Sequence, residues 1–254
     1  MMDSTEPTAI LSHLHRADGS ATFSQNGYTV IGSVNGPIEV QRRDELPEEA
    51  AVDVIVRPAV GVGGTRERHI ETILQATLRQ LILIHNFPRS LIQVTLQITS
   101  TPGNDAVGSK LVQADSNLPI LPALLQTAVL TLLSASIPLA ETLTSVILAI
   151  TSDEESQSIL RNPTLTELQS ADSVHVLGFT SHGELLVAES EGSFTIDDWN
   201  DIYEAGKRLC CDGIETDIDD DIMQDEISEE KTSEATFIRA IIREKVAANL
   251  HWKE

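Results

Sequence analysis

The period of hydrophobic and polar positions changes several times along this chain, and each change marks an element. Residues 21–24 and 28–34 are short β-prone runs on either side of Gln25-Asn26-Gly27. An Asn-Gly pair suits the positive φ angles of a tight hairpin. Asn35-Gly36-Pro37 makes a second turn before Ile38-Glu39-Val40, and residues 52–56 form a further strand. The opening reads as a meander of antiparallel strands after a flexible leader over residues 1–17. From about 66 to 86 the spacing becomes helical: Ile70, Ile73, Leu74, Leu78, Leu81 and Ile82 make one apolar stripe. Thr65 is the expected N-cap, with Arg68 where a capping box wants Glu, and Pro88 stops the helix. Residues 90–98 then alternate as a half-buried strand does.

The second half follows the same plan. A helix over about 119–136, apolar nearly all round, ends at Pro138 and leads into a strand over 144–150. Strands near 173–180 and 184–188 flank Ser181-His182-Gly183. A helix over about 196–209 carries Trp199, Ile202, Tyr203 and Leu209 on its buried side, with Asp197 and Asp198 in its first turn, where the helix dipole favours them. A last amphipathic helix within 233–254 buries Phe237, Ile238, Ile241, Ile242 and Val246 and exposes Arg239, Arg243, Glu244 and Lys245. The expected class is α+β: one domain over 18–211 built of two similar halves, an acidic insert over 212–232, and a C-terminal helix.

Charge sharpens this picture. The chain has 254 residues, 17 basic and 39 acidic, a net charge of −22. Ten of the acids lie between Asp212 and Glu230, with no basic residue among them. That stretch cannot bury itself and reads as disordered. Residues 1–110 hold nine basic residues against twelve acidic ones, so the first half is nearly neutral and rich in arginine. A protein this acidic does not bind RNA alone, because backbone binding works by phosphate neutralisation. Cys210 and Cys211 are adjacent and make no disulfide framework. The start lacks a basic-then-apolar secretory pattern, and the apolar region 118–150 is interrupted by prolines and polar residues, so it reads as core and not as a membrane span. The seven histidines are scattered, which predicts no metal site.

The run GSATFSQNGYTVIGSVNGPIEVQ, with its Val34-Asn35-Gly36-Pro37-Ile38-Glu39-Val40 segment, resembles the opening of the RNase PH superfamily. The helix beginning near Arg66 and Arg68, the Pro88-Arg89-Ser90 break and the Ile137-Pro138 helix end match in the same order, so the resemblance spans roughly residues 18–211. It is greatest to the eukaryotic exosome ring subunits of the bacterial RNase PH-like group, in a fungal-looking form. The resemblance implies a duplicated β-α fold of the ribosomal protein S5 domain 2-like type. It also implies a hetero-hexameric ring of RNase PH-like subunits, with OB-fold and KH-type caps, an associated nuclease, RNA through the channel, and work in the nucleus, nucleolus and cytoplasm on ribosomal RNA maturation and RNA decay.

Phosphorolysis passes a nucleotide from an RNA 3′ end to phosphate, and it needs cationic or N–H cradles together with a carboxylate. Active members place a glycine-containing phosphate loop before the second long helix. Here that place reads Ala114-Asp115-Ser116-Asn117-Leu118-Pro119, with no glycine and no arginine. The family's helical arginine falls at Gln75 or Ala76, and of its two aspartates only Asp172 is matched; no acid lies at 162–165. These departures predict a degenerate site, no cofactor and a non-catalytic structural subunit. The alternatives are an active phosphate-dependent 3′→5′ exoribonuclease and an interaction module that works through the acidic insert. Gly61-Val62-Gly63-Gly64-Thr65-Arg66 resembles a phosphate loop but lacks the Gly-Lys-Ser/Thr ending and reads as a connection. Arg42, Arg43, Arg66, Arg68, Arg79 and Arg89 are the candidate RNA contacts, beside Arg57; Phe23, Tyr28 and Phe87 are the only aromatics near them.

Overall fold

The computed structural model describes residues 7–43, 45–102, 118–153, 156–211 and 234–250. The acidic stretch 212–232, most of the Ala114–Pro119 stretch and residues 1–6 of the expected leader lie outside them.

The first sheet holds β1 (Thr8–Leu11), β2 (Gly19–Gln25), β3 (Tyr28–Glu39), β4 (Ala51–Arg57) and β5 (Ser90–Ser100), in the order β1-β2-β3-β5-β4. Antiparallel pairing runs from β1 to β5, while β4 pairs parallel with β5. The expected meander therefore holds for the first strands and fails at β4. The helix α1 (Thr65–Leu81) returns the chain to the start of β5, the crossover that a parallel pair needs. The leader expectation also fails where the chain is described: Thr8–Leu11 pairs with residues 21–24 of β2, and this backbone pairing outweighs the weak pattern of a four-residue edge strand.

The second sheet is antiparallel throughout, in the order β7-β6-β8-β9: β6 (Leu143–Asp153), β7 (Ser156–Arg161), β8 (Ser173–Thr180) and β9 (Leu185–Gly192). A short helix, α3 (Leu165–Ser170), precedes β8. Neither β7 nor α3 stands out in the sequence, because both are short and polar. The two halves match in helix, proline and strand but not in pairing. α1 joins two strands of one sheet, whereas α2 (Leu121–Ser134) joins one sheet to the other.

α2 packs on β2 and β3 on one side and on β6 on the other, so it lies between the sheets. Every residue of it except Leu133 is buried. Close approach requires glycine. A Cβ at Gly32 would lie 2.5 Å from Thr131 Cγ2 and 2.7 Å from Thr127 Cγ2, and one at Gly19 would lie 2.6 Å from the Thr131 carbonyl. A single apolar cluster runs from the first sheet through α2 to Leu143, Ile147 and Val176 of the second. The opposite face of the second sheet packs Val146, Leu148, Leu177 and Phe179 against Ile202 and Cys210 of α4 (Ile196–Cys211).

α1 ends five residues sooner than its pattern suggests. Ile82 leaves the helix to bridge Leu139, with Leu83 N–H donating to the Pro138 carbonyl and Ala140 N–H to that of Leu81. The two helix-end segments thus pair with each other. The N-cap is Gly64 and not Thr65, so Glu67, not Arg68, occupies the third helical position.

The final helix, α5 (Glu234–Leu250), is anchored at both ends. The buried Glu234 carboxylate accepts from Gln25 Nε2 and from Arg161 Nη2, both at 3.2 Å, and burial raises its pKa. Phe237 sits edge-on to Phe23, and Ile238 joins the core. Lys245, expected on the exposed face, instead donates to the Ser134 carbonyl at 2.7 Å and to Ser134 Oγ at 2.9 Å. A cation at the C-terminus of α2 satisfies a free carbonyl and the dipole together. Val246 is exposed.

Gly32→Ala should destabilise the protein by about 1–3 kcal/mol through overpacking against Thr127 and Thr131, read as a lower urea midpoint with an unchanged slope. An equal midpoint would show that α2 has room to move.

Candidate functional site

The seven arginines do not converge. Arg42 and Arg43 lie in the turn after β3, Arg79 in the last turn of α1, and Arg89 just before β5. Arg89 N–H donates to the Leu46 carbonyl, which brings these residues to one end of the first sheet. Arg57, Arg66 and Arg68 lie at the other end, where β4 finishes and α1 begins. α1 separates the groups by about 25 Å at 1.5 Å per residue.

Several of the cations already have partners. Arg68 pairs with Glu71 at 3.0 Å, Arg79 with Glu49 at 2.6 Å, and Arg89 with Glu45 at 3.4 Å. Glu71 is buried and also accepts from Val56 N–H at 2.9 Å, which fixes Arg68 to the β4–α1 packing. The other exposed pairs are worth at most about 1 kcal/mol and can exchange for another anion. The glycine-rich loop before α1 is likewise supplied with an anion by the chain itself. Glu67 Oε2 accepts from Gly64 N–H at 2.6 Å, taking the N-terminal position that a phosphate would use. Phe23, one of the candidate stacking aromatics, is buried and unavailable to a base; Tyr28 and Phe87 are half-buried.

At the positions aligned with the family's chemistry, Gln75 is exposed and donates from Nε2 to the Val52 carbonyl at 2.7 Å, and Ala76 is exposed. Asp172 is exposed between α3 and β8. Its N–H donates to the Ile150 carbonyl, and its own carbonyl accepts from Ser193 N–H. These bonds join the Asp172 turn to the β9–α4 connection. Gly192, at φ +107°, is needed there because a Cβ would lie 2.3 Å from the Asp172 carbonyl oxygen. The segment 162–165 holds no acid, and Thr164 caps α3 with Glu167. Among the described residues, no three His, Cys, Asp or Glu side chains group as metal ligands.

One cluster near Asp172 was not singled out from the sequence. His175 of β8 is buried, with Nδ1 2.8 Å from Ser190 Oγ and Nε2 2.9 Å from Ser173 Oγ. Its ring meets Phe194 at 4.7 Å between centroids and Trp199 at 5.9 Å. Burial lowers its pKa, opposed by the nearby charge of Asp198. The available signal was a lone histidine in an otherwise apolar strand, facing the helix that carries Trp199. Cys210, buried under α4, has its thiol pushed up to about 12 by burial and is inert at neutral pH.

Two sheets clasping a buried helix, with a parallel β4-α1-β5 crossover in the first, define the duplicated β-α class of phosphorolytic nucleases. The model of the 3′ exoribonuclease family, domain 1 (RNase PH), matches residues 6–138, just over half of the chain, and the chain belongs to that family. The chain is 37% identical over 207 residues to the exosome complex component RRP46 of Saccharomyces cerevisiae, covering 79% of this chain and 87% of that protein. Among solved structures, rice (Oryza sativa) Rrp46 superposes with a TM-score of 0.67 at 24% identity, covering 80% of this chain and 87% of that one. An archaeal exosome core chain gives 0.59 at 14% identity, covering 80% and 82%. Both structures confirm the fold.

His175 titrates with a clear sign. Its folded pKa lies below the usual 6.5, so the unfolded chain binds the proton more readily, and the stability it contributes at neutral pH is lost as pH falls below 6.5. Urea unfolding at pH 7 and pH 5.5 should show a loss in the native protein that is reduced in His175→Gln. Equal losses in both would remove His175 as the cause.

Proposed function

We propose that this chain is a structural, non-catalytic subunit of an RNA exosome core ring. The observation that carries the reading is a match over most of the length of an exosome component, joined to a set of phosphate-handling positions that have lost their chemistry together. The phosphate-loop stretch has no glycine and carries Asp115; the helical arginine is replaced by Gln75 or Ala76; Asp172 is without its aspartate partner. The internal partners of Arg68, Arg79 and Arg89, and of the Gly64 amide, support the same reading, because each engages a group that substrate phosphate would otherwise take. In this reading the chain joins other RNase PH-like subunits in a hetero-hexamer under OB-fold and KH-type caps, and RNA threads toward a separate nuclease. Only one of the two arginine groups contacts RNA in the channel, electrostatically and without base preference. The complex works in nucleus, nucleolus and cytoplasm on ribosomal RNA maturation and RNA decay.

Purified protein incubated with single-stranded RNA and phosphate should release no nucleoside diphosphate, and Asp172→Ala should leave RNA degradation by the assembled complex unchanged. Diphosphate release that disappears in Asp172→Ala would establish an active phosphorolytic exoribonuclease instead.

A further inference from the structure

The β9–α4 connection beside Asp172 carries an apolar surface that the chain itself leaves open. Phe194 is 43% exposed and Ile196 77% exposed. Phe194 cannot fold inward, because its ring stands edge-on to the His175 imidazole, which Ser173 and Ser190 fix from both sides. Trp199 lies 6.2 Å from the Phe194 ring at an angle of 35°. The backbone beneath is equally fixed. Thr195 N–H donates to Asp198 Oδ2 at 2.8 Å, and Asp198 N–H to Thr195 Oγ1 at 3.3 Å, a reciprocal cap for α4. The two side chains are thus presented on a built platform.

The charge around that platform has one sign. Residues 184–206 hold seven acidic residues and no lysine, arginine or histidine. Asp197 and Asp201, one helical turn apart, are exposed beside the apolar pair, and Asp172 is exposed on the turn hydrogen-bonded to Ser193. Carboxylates at this density repel an RNA backbone. They complement a side chain that is cationic and also has a flat apolar face. Arginine has both: its guanidinium stacks on aromatic rings and forks to carboxylates, which a lysine ammonium does not do equally well.

We propose that the Phe194–Ile196 surface docks an arginine-bearing apolar segment of another protein, the guanidinium lying against the Phe194–Trp199 rings and pairing with Asp197 or Asp201, with an aliphatic neighbour on Ile196. The proposal does not depend on the ring assignment, and its test involves no RNA degradation.

The probe is a synthetic peptide, acetyl-GLRAIRG-amide, titrated into the full-length 15N-labelled chain, with a citrulline-for-arginine version as control. Saturable shifts should be confined to amides of residues 172–201 and the Trp199 indole N–H. Phe194→Ala and the paired Asp197→Asn, Asp201→Asn variant should each weaken binding at least fivefold, with the rest of the spectrum unchanged. The citrulline peptide should show a similar loss. Four results would each overturn the proposal: no saturable binding, shifts centred on the acidic stretch 212–230, affinity unaltered in both variants, or a uridine oligonucleotide binding these amides more tightly than the peptide.

Discussion

Both sheets depend on a helix that has no solvent-facing stripe. α2 is buried against β2 and β3 on one side and β6 on the other. It reaches that position only because Gly19 and Gly32 offer no Cβ to Thr131, Ala135 and Thr127. Its polar groups must then be satisfied internally. Thr127 and Thr131 donate back to carbonyls of their own helix, Ser145 donates to the Pro122 carbonyl, and Lys245 closes the C-terminal end. α5 follows from this requirement. By supplying Lys245 to α2 and Glu234 to Gln25 and Arg161, it ties the C-terminal part of the chain to β2 and β7, one strand from each sheet. The two halves of a duplicated fold are joined through one helix and then strapped by another.

The same internal bookkeeping of charge shapes the surface. A phosphorolytic site keeps cations and amide donors free for an incoming phosphate. In this chain, Glu67, Glu71, Glu49 and Glu45 engage groups of that kind. The region next to Asp172 has moved further, toward an aromatic and acidic character suited to a protein side chain and not to a polyanion. Retaining the fold while filling its anion positions is what a subunit kept for assembly requires.

Periodicity made the long elements legible. α1, α2, α4, α5 and the central strands announce themselves because each has one buried stripe or face. What escaped was set by partners distant in sequence. β1 and β7 are edge strands defined by pairing, and the parallel pairing of β4 depends on a crossover that no local pattern reports. The early end of α1 is decided by Leu139 across the molecule, and the inward turn of Lys245 by a helix terminus more than one hundred residues away. The candidate site was legible as a series of departures, since Gln75, Ala76 and Asp172 are read directly from alignment. The arginine set looked like one patch because the chain places its members close in sequence, whereas α1 carries them to opposite ends of the sheet. The His175 cluster was invisible because its members meet only when β8, β9 and α4 pack.

The central claim is that this chain is a structural member of a mixed ring. Native mass spectrometry of the complex purified through a tag on the endogenous protein tests it most directly. The account predicts one copy of this chain per assembly, together with several different RNase PH-like subunits and cap proteins. A monomer, or a homo-oligomer of this chain free of other RNase PH-like subunits, would contradict it.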